Sequence, residues 1–102
     1  MQELTHYING AHVAGASGRF SSVYNPATGE VQAKVPLASA DEMAQAVEIA
    51  AAAQVSWGAV NPQRRARVMM KFIDLLNRDM DALAEALSRE HGKTLPDAQG
   101  DV

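Results

Sequence analysis

Ser39-Ala40-Asp41-Glu42-Met43 marks the point where this chain changes character. Before it, apolar residues alternate in short runs broken by Asn, Gly and Pro; after it, they recur at three- and four-residue steps, the spacing of one helix face. Ser39 to Glu42 fits a capping box. The serine oxygen takes an orphan N–H of the first turn, and the Glu42 carboxylate reaches back to the cap. The helix opening there is expected over about 40–57, with Met43, Val47, Ala50, Ala51 and Val55 on one stripe and Gly58 as its stop. Strands first and helices after predict an α+β arrangement.

Upstream, His6-Tyr7-Ile8-Asn9-Gly10-Ala11-His12-Val13 reads as a tight hairpin, because both central residues of a type I′ turn need positive φ and Asn-Gly supplies them. Arg19 to Tyr24 and Glu30 to Val35 are further candidate strands, so β-structure is expected within about 6–36. Asn25-Pro26-Ala27-Thr28-Gly29 joins them with turn chemistry: proline fixes φ and glycine permits the left-handed position. Strands this few and short do not stand alone in water.

Downstream, Asn61-Pro62 is a second helix start, with asparagine at the cap and proline where its missing N–H costs nothing. One long helix is expected over about 62–91. Its stripe Val68, Met69, Phe72, Ile73, Leu76, Met80, Leu83, Ala84 and Leu87 is read as core-facing, and Gly92 is placed as its C-terminal stop. Ala98 to Val102 reads as the opening of another element.

Composition narrows the classes. The net charge is -3, and clustered excess Lys and Arg is missing, which excludes a nucleic-acid surface. No apolar run approaches the roughly 20 residues of a membrane span. Met1 to Thr5 lacks the basic-then-apolar pattern of a secretory signal, so a cytoplasmic location is expected. With no cysteine, there is neither a disulfide nor a thiol nucleophile among these residues. The hydrophobic fraction is 47%, but alanine makes up much of it and only Tyr7, Phe20, Tyr24, Trp57 and Phe72 are aromatic, so the core is expected to be thin.

Candidate chemistry is sparse. Arg64-Arg65-Ala66-Arg67 is the one basic cluster, and without glycines to cradle a phosphate it reads as a solvated first turn. His6 and His12 could face each other across the hairpin, while His91 stands apart; metal sites need ligands that converge. Asp41, Glu42, Asp79, Asp81 and Glu85 lie on expected helix surfaces, where nothing shifts one carboxylate against another. Ser17, Ser21 and Ser22 lack a histidine–carboxylate partner order. Gly92-Lys93-Thr94 copies only the tail of a phosphate loop and follows a helix rather than a strand. No catalytic, cofactor-binding or metal-binding residue is assigned to any position.

Several segments in order nonetheless resemble the opening of an aldehyde dehydrogenase. They are Tyr7-Ile8-Asn9-Gly10, Tyr24-Asn25-Pro26-Ala27-Thr28-Gly29-Glu30-Val31, Val35-Pro36-Leu37-Ala38-Ser39, Trp57, Arg64-Arg65-Ala66-Arg67-Val68 and Glu90-His91-Gly92-Lys93-Thr94. With Asp97-Ala98 and Gly100-Asp101-Val102 they are most similar to the CoA-acylating branch acting on methylmalonate semialdehyde. The resemblance implies an α/β parent enzyme in which residues 1–102 form the N-terminal portion of the NAD-binding domain. That parent oxidises malonate or methylmalonate semialdehyde with NAD, yields acetyl-CoA or propionyl-CoA, and serves valine catabolism. Its nucleophilic cysteine, oxyanion asparagine and glycine-rich NAD turn match nothing before Val102, so neither NAD nor coenzyme A is expected on this piece and it is expected to be inactive. Its partners would be the remainder of the dehydrogenase chain and, for the isolated piece, further copies of itself, exchanged by helix swapping. The competing expectations are another aldehyde dehydrogenase branch and a non-enzymatic helical interaction module.

Overall fold

The computed structural model describes residues 1–102. Five strands precede four helices, the α+β order that the sequence predicts: β1 Gln2–Glu3, β2 His6–Ile8, β3 Ala11–Val13, β4 Phe20–Tyr24, β5 Val31–Pro36, α1 Ala40–Ala59, α2 Pro62–Arg78, α3 Met80–His91 and α4 Leu95–Asp101. The chain forms two compact units, Met1–Val23 with Val31–Ala59, and Tyr24–Glu30 with Val60–Val102.

In the first unit, β2 and β3 pair antiparallel around Asn9 and Gly10, whose φ of 55° and 73° are those of a type I′ turn. The other sheet has the order β1-β5-β4. β1 runs parallel to β5, with Gln2 opposite Ala33 and Glu3 opposite Lys34. This strand is absent from the sequence reading because two polar residues carry no alternation; tertiary pairing alone makes them a strand. The Ala33 side chain is buried, and Lys34 Nζ lies 5.9 Å from the centre of the Phe20 ring.

The capping box at α1 forms as predicted. Ser39 N–H donates to Glu42 Oε2 at 2.7 Å, and Glu42 N–H donates to Ser39 Oγ at 3.1 Å. Gly58 does not stop the helix, which runs one residue further. The chain leaves the helix at Val60-Asn61 instead, where Asn61 must be extended to cap α2. The stripe read along α1 is not the face that packs on the hairpin. Glu42, Ala46 and Ile49 face β2 and β3, while Val47 and Val55 are exposed.

In the second unit, Asn61 Oδ1 accepts from Gln63 N–H at 2.8 Å and caps α2. The single helix expected over 62–91 is two helices. Asp79, at φ −102° and ψ 15°, ends α2 by donating its N–H to Leu75 O and begins α3 by accepting from Leu83 N–H. Its carboxylate is held by Arg78 through Nε at 2.8 Å and Nη2 at 2.7 Å and makes no hydrogen bond to the first turn of α3. A one-residue break leaves the apolar periodicity nearly intact, which hides it in the sequence. The stripe is also only partly core-facing. Ala84 is buried and Leu76, Met80 and Leu87 are half-buried, but Val68, Met69, Phe72 and Ile73 are each more than half exposed.

Gly92 closes α3 at φ 84°, and its N–H bonds Ser88 O at 2.7 Å. Thr94 then caps α4, so the element foreseen at Ala98 opens earlier, at Leu95. α4 packs on α3, and Ala84 of α3 and Ala98 of α4 are both buried.

Candidate functional site

A cleft lies in the first unit, between the hairpin and α1. Hairpin side chains alternate across the strand pair. His6, Ile8, Ala11 and Val13 face α1, where with Glu42 and Ile49 they enclose a cleft of about 430 Å³. Tyr7 and His12 fall on the opposite face, paired in register, with rings 5.2 Å apart and edge-on. The two histidines therefore do not meet: His6 is opposite Val13, and His12 Nδ1 is bound to Thr5 Oγ1 at 2.9 Å.

Glu42 is the charged group of the cleft, and its oxygens are committed. Oε2 accepts from Ser39 N–H, and Oε1 accepts from Ala16 N–H at 2.6 Å. The Ser39 backbone N–H, followed by that of Ala16, holds its pKa below the usual carboxylate value. A carboxylate stabilised as the anion by two backbone donors is a poor proton carrier near neutrality; its work is to fasten the 14–18 loop to the start of α1. His6 Nε2 is buried without a hydrogen-bond partner beside Gly15. A Cβ at Gly15 would meet Pro36 Cβ at 2.7 Å and His6 Nε2 at 3.5 Å, so this glycine is a packing requirement that sequence reading saw only as part of a small-residue loop.

The other candidates are structural where they have partners. Ser17 Oγ donates to Leu37 O and accepts from Arg19 N–H at 3.1 Å, so it is not poised as a nucleophile. Asp79 pairs with Arg78, Glu85 with Arg89 at 2.7 Å, and Asp81 accepts from Gln99 at 3.2 Å. Lys93 pairs with Asp101 inside the second unit, and Thr94 is spent on capping α4. Arg64 and Arg67 are exposed on α2, and Arg65 is half-buried with its Nε unpartnered. No group of three or more His, Cys, Asp or Glu converges in metal-binding geometry, and no helix is long and apolar enough to cross a membrane.

The second unit brings two sequence segments together. Asn25 Oδ1 accepts from Ala27 N–H at 2.9 Å and Asn25 O from Gly29 N–H at 2.7 Å, folding the Asn-Pro-Ala-Thr-Gly turn on itself. Pro26 of that turn lies against Gly92 of the His-Gly-Lys-Thr run, at the end of α3. The sequence profile of the aldehyde dehydrogenase family matches residues 12–102, which include both segments. The chain belongs to the aldehyde dehydrogenase family. It is 42% identical, over its whole length, to a malonate-semialdehyde dehydrogenase of Pseudomonas aeruginosa, of which it covers 20%. It is 40% identical over 96 residues to a methylmalonate-semialdehyde/malonate-semialdehyde dehydrogenase, acylating and mitochondrial by its name, from Dictyostelium discoideum, covering 94% of the chain and 18% of that protein. Among solved structures, one described as a methylmalonate-semialdehyde dehydrogenase from Sinorhizobium meliloti 1021, complexed with NAD, superposes with a TM-score of 0.97 at 64% identity. That match takes in 100% of this chain and 21% of the other. The chain thus spans about a fifth of the length of the aldehyde dehydrogenases it matches.

The residues present do not form a dinucleotide cradle. Such a cradle needs a glycine-rich strand–turn–helix with a free helix N-terminus for the pyrophosphate. Here the N-terminus of α1 is filled by its own Glu42, and that of α2 follows Asn61-Pro62 with no glycine.

Proposed function

We propose that this chain is the N-terminal part of an NAD-dependent, CoA-acylating malonate- or methylmalonate-semialdehyde dehydrogenase, and that residues 1–102 belong to its cofactor-binding domain. The observation that carries the reading is the 64% identity, across the whole chain, to the Sinorhizobium meliloti protein complexed with NAD. The Dictyostelium relative, acylating by its name, supports the CoA step. Such an enzyme would convert the semialdehyde, NAD and coenzyme A to acetyl-CoA or propionyl-CoA, carbon dioxide and NADH. None of these steps falls to a residue of this segment. Its residues supply scaffold: α1 and α2 offer apolar faces to the remainder of the dehydrogenase chain, which is their partner in the intact protein. A place in valine catabolism and a cytoplasmic location belong to the same proposal.

The test is an NADH assay on two proteins. The enzyme expressed from the full reading frame that carries this segment should reduce NAD with malonate semialdehyde and form acetyl-CoA only when coenzyme A is present. The 102-residue chain should give no NADH. Formation of the free acid without coenzyme A would move the parent to another branch, and turnover by the short chain would overturn its inactivity.

A further inference from the structure

The asparagines of this chain differ in what holds their amides. Asn25 Oδ1 accepts from Ala27 N–H and Asn61 Oδ1 from Gln63 N–H, and each is followed by proline, which has no N–H. Asn77 Nδ2 donates to Ile73 O at 3.0 Å, and the next residue, Arg78, lies inside α2. Asn9 is unlike them. It stands at the tip of the β2–β3 hairpin, and no hydrogen bond holds its amide. Ile8 and Ala11 close the strand pairing, so the Gly10 N–H lies outside it and has no backbone acceptor. Nothing lies within 4 Å of where a Cβ of Gly10 would stand.

We propose that Asn9 is a site of spontaneous deamidation, with the Gly10 nitrogen as the nucleophile. Gly10 N attacks Asn9 Cγ and closes a succinimide ring. The Cγ–Nδ2 bond breaks, and ammonia leaves with the proton from Gly10. Water then opens the ring. Attack at Cγ gives aspartate; attack at the Asn9 main-chain carbonyl breaks its bond to Gly10 and leaves isoaspartate, with the chain running through Cβ and Cγ. No oxidant or reductant takes part. The glycine favours closure because no side chain hinders its nitrogen. Ring closure requires the peptide to leave the left-handed turn, and a strand pair this short opens readily. The reaction is intramolecular, so it needs no docking face, only water at the tip. Its two products part ways. Asp-Gly suits a type I′ turn as Asn-Gly does, so aspartate keeps the hairpin and adds a negative charge. Isoaspartate inserts a carbon into the main chain of the loop. That displaces the register that sets His6 opposite Val13, and with it the hairpin wall of the cleft.

The test is a timed incubation, at mildly alkaline pH, of the folded enzyme expressed from the full reading frame. Trypsin and mass spectrometry then follow the peptide ending at Arg19 against a zero-time sample. That peptide should take on the mass of an acid in place of an amide, in two chromatographic forms, isoaspartyl and aspartyl. The peptides carrying Asn25, Asn61 and Asn77 should keep their mass. Gly10→Ala should slow the conversion about tenfold, since a Cβ screens the nitrogen. Because that substitution also strains a turn held at φ 73°, Asn9→Gln is the second variant; its longer side chain must close a larger ring, and it should keep its amide. An Asn9 that keeps its amide in the folded enzyme but loses it in urea overturns the proposal, because the closed turn then protects it. Aspartate without isoaspartate also overturns it, in favour of direct hydrolysis. The readout is a mass, so it stands or falls apart from the catalytic proposal.

Discussion

Gly92 and Pro26 meet closely: a Cβ at position 92 would stand 2.9 Å from Pro26 Cγ, and the backbone is held at φ 84°. Two costs meet at one position, the left-handed conformation and the contact. Gly92→Ala is therefore expected to destabilise the second unit by about 1–2 kcal/mol from backbone strain alone. Adding Pro26→Ala should recover part of the loss, because only the contact is relieved. Urea midpoints of the two single variants and the double variant measure this, and strictly additive effects would refute the contact.

Glu42 sets an acid limit for the first unit. Its folded pKa lies below the usual 4.5 because the Ser39 and Ala16 N–H groups stabilise the anion. Its contribution is therefore complete above the unfolded value and fades as pH falls through the lower folded value. A carboxyl titration followed by NMR should give a midpoint below 4.5, and Glu42→Gln should flatten the acid limb of stability. A midpoint at or above the usual value would contradict the capping geometry.

The hydroxyl half of the same box can be removed separately. Ser39→Ala deletes the acceptor of Glu42 N–H and should cost about 0.5–2 kcal/mol. Hydrogen exchange should show faster opening of the first turn of α1 than in the unsubstituted chain. Unchanged protection at Glu42 would mean that the carboxylate alone caps the helix.

Ala84 and Ala98 let α3 and α4 approach closely, since both are enclosed and neither has a side chain beyond Cβ. Ala84→Leu forces three extra carbons into that contact and should destabilise by about 1–3 kcal/mol. Loss of α4 protection in hydrogen exchange would place the damage there. A neutral or stabilising effect would show an undetected void between the helices.

What the sequence made legible was local. The Asn9-Gly10 turn, the Ser39–Glu42 box, the Asn61-Pro62 start and the Gly92 stop each depend on a residue's own conformational preference, and each formed. The α+β order and the family resemblance were readable for the same reason, since they rest on ordered short segments. What escaped was set by partners distant in sequence or by geometry finer than a periodicity. Gln2 and Glu3 become a strand because β5 offers its edge, and Gly15 is required because Pro36 approaches it. Asp79 interrupts a helix without disturbing its apolar spacing. The cleft face of α1 was not singled out because alanine-rich helices offer several apolar faces, and the hairpin packs on the one that carries Ile49.

The parallel pairing of β1 with β5 has a temporal side. Gln2 can meet Ala33 only after the intervening chain has closed into a loop of roughly 30 residues, a cost that grows with the logarithm of loop length. α3 and α4, neighbours in sequence, need close only a short turn before they pack together. Contacts between near neighbours form fast and long-range strand pairing forms late. β1, although made before β5 on the ribosome, is thus among the last elements to reach its final state, and during that interval the edge of β5 stands open to strands of other nascent chains.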